Sequence, residues 1–185
     1  DAPIAVWFEP VTPDGFDALL ACSISLRPPE SLIVPLAASA GGNEELAGVV
    51  RALLQSDRRF TAYDAKLQTR RLTSAGWPIP SHFEDVMLMS YVINPGLPSH
   101  ALANVARDRL KQDVAIRKDV AKTAPLFAVD HEIGASLLGP YQQYLGEKSD
   151  ITIALKELLE PELRRDPALL DIYQRIELPL SPVLG

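Results

Sequence analysis

The segment Phe83 to Ala106, FEDVMLMSYVINPGLPSHALANVA, constrains the fold more than any other stretch of the chain. Val86, Met87, Leu88, Tyr91 and Val92 recur at helical spacing. The pattern predicts a helix from Phe83, with Glu84 and Asp85 in its first turn, where the helix dipole favours acids. Asn94-Pro95-Gly96 stops that helix, because proline cannot continue it and glycine accepts turn geometry. Ser99 is a suitable N-cap for a second helix that carries Leu102, Val105 and Ala106 on one face. Periodicity alone thus predicts two packed helices joined by a Pro/Gly turn.

Upstream, Ile4 to Phe8 reads as a strand ended by Pro10 and the turn Thr12-Pro13-Asp14-Gly15. Leu19 to Leu26 is a second strand and Ser31 to Leu36 a third, with Arg27-Pro28-Pro29-Glu30 as the hairpin loop. Such short connections predict an antiparallel meander. Asn43 caps a helix with Glu44 and Glu45 in its first turn and a stripe of Leu46, Val49, Val50, Leu53 and Leu54. Phe60 to Tyr63 is a short strand, and a helix from about Asp64 to Ser74 ends at Gly76. Ala124 to His131 reads as a loop. Pro140 suits the first turn of a long helix that runs to the Arg164-Arg165-Asp166-Pro167 break, with a last helical segment from about Ala168. Strands, helix, strand, then helices predict an α/β domain with a central mixed sheet.

With 185 residues, 47% of them apolar and 23% charged, the chain has the balance of one globular domain with a real core. The formal net charge of −6 is the wrong sign for a protein that grips nucleic acid mainly by neutralising phosphates. Cys22 is the single cysteine, which excludes a disulfide framework or a thiolate zinc site. Its apolar neighbours predict a buried thiol. No uncharged apolar run approaches the ~20 residues needed to span a bilayer. No signal peptide is visible and the chain begins at Asp1, as expected of a piece of a longer cytoplasmic protein.

The words of the organising segment carry more than its period. EDVMLMSY, INP and SHALANVA resemble the D-T-M-L-x-S-Y-x-L-x-P…S-H-x-L-x-x-L-A segment of the 3′–5′ exonuclease domain of bacterial DNA polymerase I. Ala21 to Leu26 is similar to that family's V-G-I-S-L strand, Leu32 to Leu36 to its Y-I-P-L strand, and Ser149-Asp150-Ile151-Thr152 to its A-D-V-T piece. Tyr173 to Leu184, YQRIELPLSPVL, is similar to the phrase that leads into the polymerase domain. The resemblance implies a ribonuclease H-like (DEDD exonuclease) fold over residues 1–170. Residues 171–185 would begin the connection to a polymerase domain of the same chain, so no nucleotidyl-transfer site is expected here.

The family hydrolyses phosphodiesters with two Mg²⁺ or Mn²⁺ ions about 3.5–4 Å apart, held by converging carboxylates. Carried over position by position, the resemblance puts Trp7 and Glu9 at the first motif, where the family has Asp and Glu. The spacing to Gly76 and to Asp85 puts Gln68 in the place of the second motif's aspartate and Asp64 in that of its asparagine. Tyr144 matches the third motif, but Lys148 replaces its aspartate. Only Glu9 remains of the four acids. No functional catalytic residue, metal or cofactor is therefore expected. A catalytically inactive domain with a structural, docking role in DNA replication and repair is the implied function, binding DNA weakly if at all by itself. The alternatives are a weak exonuclease built from Glu9, Asp64, Asp85 and Asp150 around one ion, and a non-cutting single-stranded DNA binding module.

Lys148 is expected to pair with Glu9, or failing that Asp64, and the Trp7 ring to lie under the helix that carries Tyr144. Asp130-His131-Glu132 reads as a solvated helix start, since adjacent residues point in different directions. His100 reads as a structural hydrogen-bonder. Arg70-Arg71, Arg164-Arg165 and the basic stretch of Lys111, Arg117, Lys118 and Lys122 read as exposed faces. Tyr63 and Tyr91 are expected in the core.

Overall fold

The computed structural model describes residues 2–12, 15–38, 41–117 and 139–180. Its strands are β1 (Ile4–Pro10), β2 (Leu19–Ser25), β3 (Ser31–Pro35), β4 (Phe60–Ala62) and β5 (Phe83–Asp85). Its helices are α1 (Glu44–Leu54), α2 (Ala65–Ser74), α3 (Val86–Ile93), α4 (Leu102–Leu110), α5 (Gly139–Arg165) and α6 (Pro167–Ile172). A π-helical turn, Tyr173–Glu177, and a last helical turn, Leu178–Leu180, follow.

The five strands form one mixed sheet in the order β3-β2-β1-β4-β5. β1, β2 and β3 pair antiparallel, as the short connections require, while β4 and β5 join β1 in parallel. Alternation along β1 sends its residues to two cores. Ile4, Val6 and Phe8 pack with Val50 and Leu54 of α1 and Leu72 of α2 on one face. Trp7 packs on the other with Tyr141, Tyr144 and Leu145 of α5. The largest cluster joins Val86, Met89 and Val92 of α3 to Leu102 and Val105 of α4 and to Ile151, Leu155 and Leu159 of α5. Each such fully buried side chain contributes ~1.5–3 kcal/mol.

Two local signals hold as read, and at the Asp166-Pro167 break the structure adds a cap. Asn43 accepts from the Leu46 amide at 2.9 Å as the cap of α1. Gly76, at φ 72°, lets α2 close on itself, with the Trp77 amide returning to the Leu72 carbonyl at 2.8 Å. Asp166 caps α6 with Pro167 in its first turn. Gly146 lies close against β3: a Cβ there would stand 2.5 Å from Ser31 Oγ, so a larger residue would require that hydroxyl to turn aside.

Three expectations are corrected. Phe83–Asp85 is the edge strand β5 and not the first turn of a helix, because it pairs with β4 from Phe60 to Ala62. The acids of that supposed turn act otherwise: Asp85 is the N-cap of α3 and Glu84 takes salt bridges from Arg59 and Lys156. α4 is capped at Ala101 without a side-chain bond; Ser99 Oγ accepts from the Ala101 amide at 3.2 Å instead. Tyr63 is buried as expected, but Tyr91 is 46% exposed, its ring edge-on to His100. Residues 171–180 pack through Tyr173, whose hydroxyl meets the Asp85 backbone amide at 3.1 Å.

Candidate functional site

β4 is only three residues long and pairs with β1 at Ile4 and Ala5 alone. Beyond that point the edge of β1 has lost its ladder partner, and a buried edge must find other hydrogen bonds. α2 supplies them. Gln68 Oε1 accepts from the Phe8 amide at 2.8 Å, and Arg71 Nη1 donates to the Phe8 carbonyl at 2.6 Å. This end of β1 lies past the carboxyl ends of two parallel strands, where open α/β sheets place their ligands.

Trp7 and Glu9 stand on the face of β1 that looks toward α5. Glu9 is 1% exposed, and its carboxylate is occupied from several sides. Trp7 Nε1 donates to its Oε2 at 2.7 Å and Arg117 Nη1 to its Oε1 at 2.8 Å. The Tyr144 hydroxyl lies at 3.4 and 3.5 Å from the two oxygens. Arg117 also donates to the carbonyls of Pro10 and Val11 at 3.1 and 2.9 Å. Burial raises the Tyr144 phenol, and the charge of Glu9 raises it further.

Lys148 comes into the same place from α5, where four residues, about one helical turn, separate it from Tyr144. Its ammonium does not pair with Glu9, nor with Asp64. It donates to the Ala115 carbonyl at 2.8 Å and lies 4.6 Å from the Tyr144 ring centroid and 5.8 Å from that of Trp7. Arg117 has taken the carboxylate, because its planar fork reaches Glu9 and two backbone carbonyls together. Desolvation lowers Lys148 to about 8, with Glu9 and Glu147 drawing it back upward. Trp7 lies under α5 as expected, with Arg71 5.1 Å from its ring centroid.

The remaining carboxylates of the one-ion alternative each have separate work. Asp64, at φ 57°, caps α2 and accepts from the Leu67 amide at 3.0 Å. Asp85 accepts from Ala65 at 2.8 Å, Met87 at 2.8 Å and Leu88 at 3.3 Å, tying the starts of α2 and α3 together. Burial pushes its carboxyl up to about 7 against those three amides. Asp150 accepts from Ser25 Oγ at 2.6 Å, fastening α5 to β2. Among the described residues no three His, Cys, Asp or Glu side chains gather as ligands would. Asp130-His131-Glu132 lies outside the described residues.

Sequence reasoning assigned Arg71 and Arg117 to solvated faces, and both belong to the site. Arg71 carries a legible signal: with Ala65, Gln68 and Leu72 it completes the buried stripe of α2. Arg117 carries none, since its partners lie at and just past the end of β1, more than a hundred residues earlier in the chain. Lys156 was also missed. It is 1% exposed and is answered by Glu84 at 3.1 Å and by Glu160. His100 is the expected structural bonder, its Nδ1 3.0 Å from Ser90 Oγ.

No protein-family model matches the chain. DNA polymerase I of Rhizobium leguminosarum is 32% identical over 109 residues, 56% of this chain and 10% of that protein. DNA polymerase I of Bacillus subtilis (strain 168) is 27% identical over 129 residues, 70% of this chain. The chain thus spans 10% and 14% of the lengths of these relatives. The POL domain of Pol1 from M. smegmatis, solved with DNA primer-template and dNTP, superposes with a TM-score of 0.68 at 19% identity, covering 98% of this chain and 27% of that one. Brucella melitensis NrnC bound to pGG gives 0.69 at 14% identity, covering 98% of this chain and 82% of that one. Escherichia coli RNase D, an exoribonuclease, gives 0.68 at 13% identity over 99% of this chain and 44% of that one. These likenesses show the fold as that of the ribonuclease H-like DEDD exonucleases, with the mixed sheet and antiparallel start expected of it. The chain is an exonuclease-like domain of that fold, related in sequence to bacterial DNA polymerase I.

Proposed function

We propose that this is the 3′–5′ exonuclease-like domain of a bacterial DNA polymerase I whose proofreading chemistry has been lost. It serves as a structural body that docks and holds the polymerase domain of the same chain during DNA replication and repair in the cytoplasm. Among the described residues no helix is long and apolar enough to cross a membrane.

One observation carries the reading: the Glu9 carboxylate is paired with Arg117 and hydrogen-bonded by Trp7. Two divalent ions would need several free carboxylate oxygens at that place. The residues there do not fit such ions. An indole presents an N–H, the Gln68 oxygen is taken by the Phe8 amide, and the Lys148 ammonium repels a cation. Incubation of end-labelled single-stranded DNA with the protein and Mg²⁺ or Mn²⁺ is expected to leave the 3′ end intact. Stepwise shortening that Glu9→Gln abolishes would overturn the proposal.

A further inference from the structure

The two edges of the sheet are finished differently. β5 is three residues long, and the Tyr173 hydroxyl takes both the amide and the carbonyl of its Asp85, at 3.1 and 3.3 Å. β3 is the opposite edge. The Leu36 amide donates to the Leu20 carbonyl at 2.9 Å, which sets the phase of the antiparallel ladder with β2. Leu32 and Val34 share that phase and turn their backbone groups toward β2; Ser31, Ile33 and Pro35 turn theirs outward. Among the described residues nothing bonds the outward amides and carbonyls of Ser31 and Ile33.

An open edge is a template for another strand, and soluble proteins blunt such edges with charge, proline or a bulge. β3 reads Ser-Leu-Ile-Val-Pro, without charge and with proline only at its end. Its register with β2 runs unbroken from Ser31 to Pro35. An apolar side chain stands beside the open backbone: Leu32 is 60% exposed, on the face where Val34 packs with Val50 of α1. Ile24, opposite Leu32 on β2, is only partly buried on that face.

We propose that β3 pairs antiparallel with β3 of a second copy of this chain, joining the two sheets into one. The edge selects both partner and register. A two-fold axis at Leu32 sets Ser31 opposite the partner's Ile33, so each pair exchanges an amide and a carbonyl bond in both directions. Leu32 then faces the partner's Leu32 in a non-hydrogen-bonded pair, where side chains meet most closely. An axis at Ile33 would instead set Ser31 against Pro35, which has no N–H, and would forfeit a bond on each side. A foreign strand would satisfy the same backbone groups; the self-match of Leu32 and the avoidance of Pro35 favour a second copy. With Asp85 already bonded at the far edge, pairing closes at a dimer and does not propagate. The inference goes beyond the proposed function and holds whether or not the nuclease chemistry is lost.

So narrow an interface sits at the low end of specific association, with a dissociation constant on the order of 10–100 μM. Sedimentation equilibrium from about 1 to 300 μM brackets that constant. The mass is expected to rise from 20.2 kDa toward twice that value. Leu32→Lys opposes like charges at the axis, at a site that faces solvent in the single chain, and should raise the midpoint about tenfold or more. Ser31→Pro removes an outward N–H at the first residue of the strand, where proline is tolerated, and should weaken association as well. Oxidised Leu32→Cys tests the register, since Cα atoms about 4.5 Å apart suit a disulfide. It should cross-link at least about tenfold faster than Leu26→Cys, which is similarly exposed at 59% but has no mate across the axis. A mass that stays at one chain throughout, association that both β3 variants leave unchanged, or equal cross-linking of the two cysteine variants overturns the proposal. A chain that stays single but binds a peptide of alternating apolar residues at this edge assigns it to a foreign strand and overturns the dimer equally.

Discussion

Trp7 donates its indole N–H to the Glu9 carboxylate at 2.7 Å, two residues further along the same face of β1. In a strand this spacing brings both side chains to one side of the sheet. The resemblance puts two acids at these positions, which would repel each other and require a cation between them. Here a donor faces an acceptor, so the pair is satisfied internally, and Arg117 completes it.

The first prediction follows from that completion. Arg117→Ala leaves a carboxylate that is 1% exposed without its ion pair. Breaking one partner of a buried pair costs ~3–5 kcal/mol, here eased by the bonds from Trp7 and Tyr144. Urea unfolding should show a loss of about 2–4 kcal/mol for Arg117→Ala, and less for the double variant Glu9→Gln/Arg117→Met. Equal losses in the two proteins would contradict the pairing.

Lys148 should act in the opposite sense. Its folded-state pKa is lowered from 10.5 to about 8, so between those values the unfolded chain binds more protons than the folded one. Stability attributable to this residue therefore rises as pH increases through that window and is least at neutral pH. In phosphate-free buffer, Lys148→Met should be more stable than the parent by about 1–3 kcal/mol at pH 7. The difference should shrink toward pH 10.5, the ordinary value of the group. Denaturant melts of both proteins at several pH values check the slope, and a constant difference would refute it.

Asp85 offers a purely architectural test. Its oxygens accept from Ala65, Met87 and Leu88, so one side chain positions the starts of two helices. Asp85→Ala removes an N-cap worth ~1 kcal/mol and leaves buried amides unmet at ~1–3 kcal/mol each. A loss of about 3 kcal/mol is expected by thermal or urea unfolding. Asp64→Ala, which removes only an N-cap bond to Leu67, should cost about 1 kcal/mol.

Cys22 should be chemically inert in the folded protein. It is fully buried on β2, and burial pushes its thiol up to about 12. Only the thiolate reacts readily. A disulfide reagent at neutral pH should label it no faster than the chain opens, and at once in denaturant. Rapid labelling of the native protein would show that β2 is not held in the sheet as described.

The sequence by itself determined most of the elements and their order, because those signals are local. The N-cap at Asn43, the left-handed Gly76 and the break at Asp166-Pro167 each act within one turn of backbone. The resemblance singled out five positions; in the structure Trp7, Glu9, Tyr144 and Lys148 lie against one another and Gln68 holds the Phe8 backbone beside them. What the sequence left undecided was which charge meets which. Lys148 and Arg117 are both within reach of a lone Glu9, and local pattern has no term for a choice between them. Tertiary packing decided it: Arg117 is fixed by the Pro10 and Val11 carbonyls, and Lys148 is drawn to Ala115 and the Tyr144 ring. Phe83–Asp85 was settled the same way. Its local pattern favours a helix start, but the open edge of β4 supplies the hydrogen bonds that make it a strand. Pairing energy from a partner more than twenty residues away overrides local propensity, and only the folded arrangement reveals that partner.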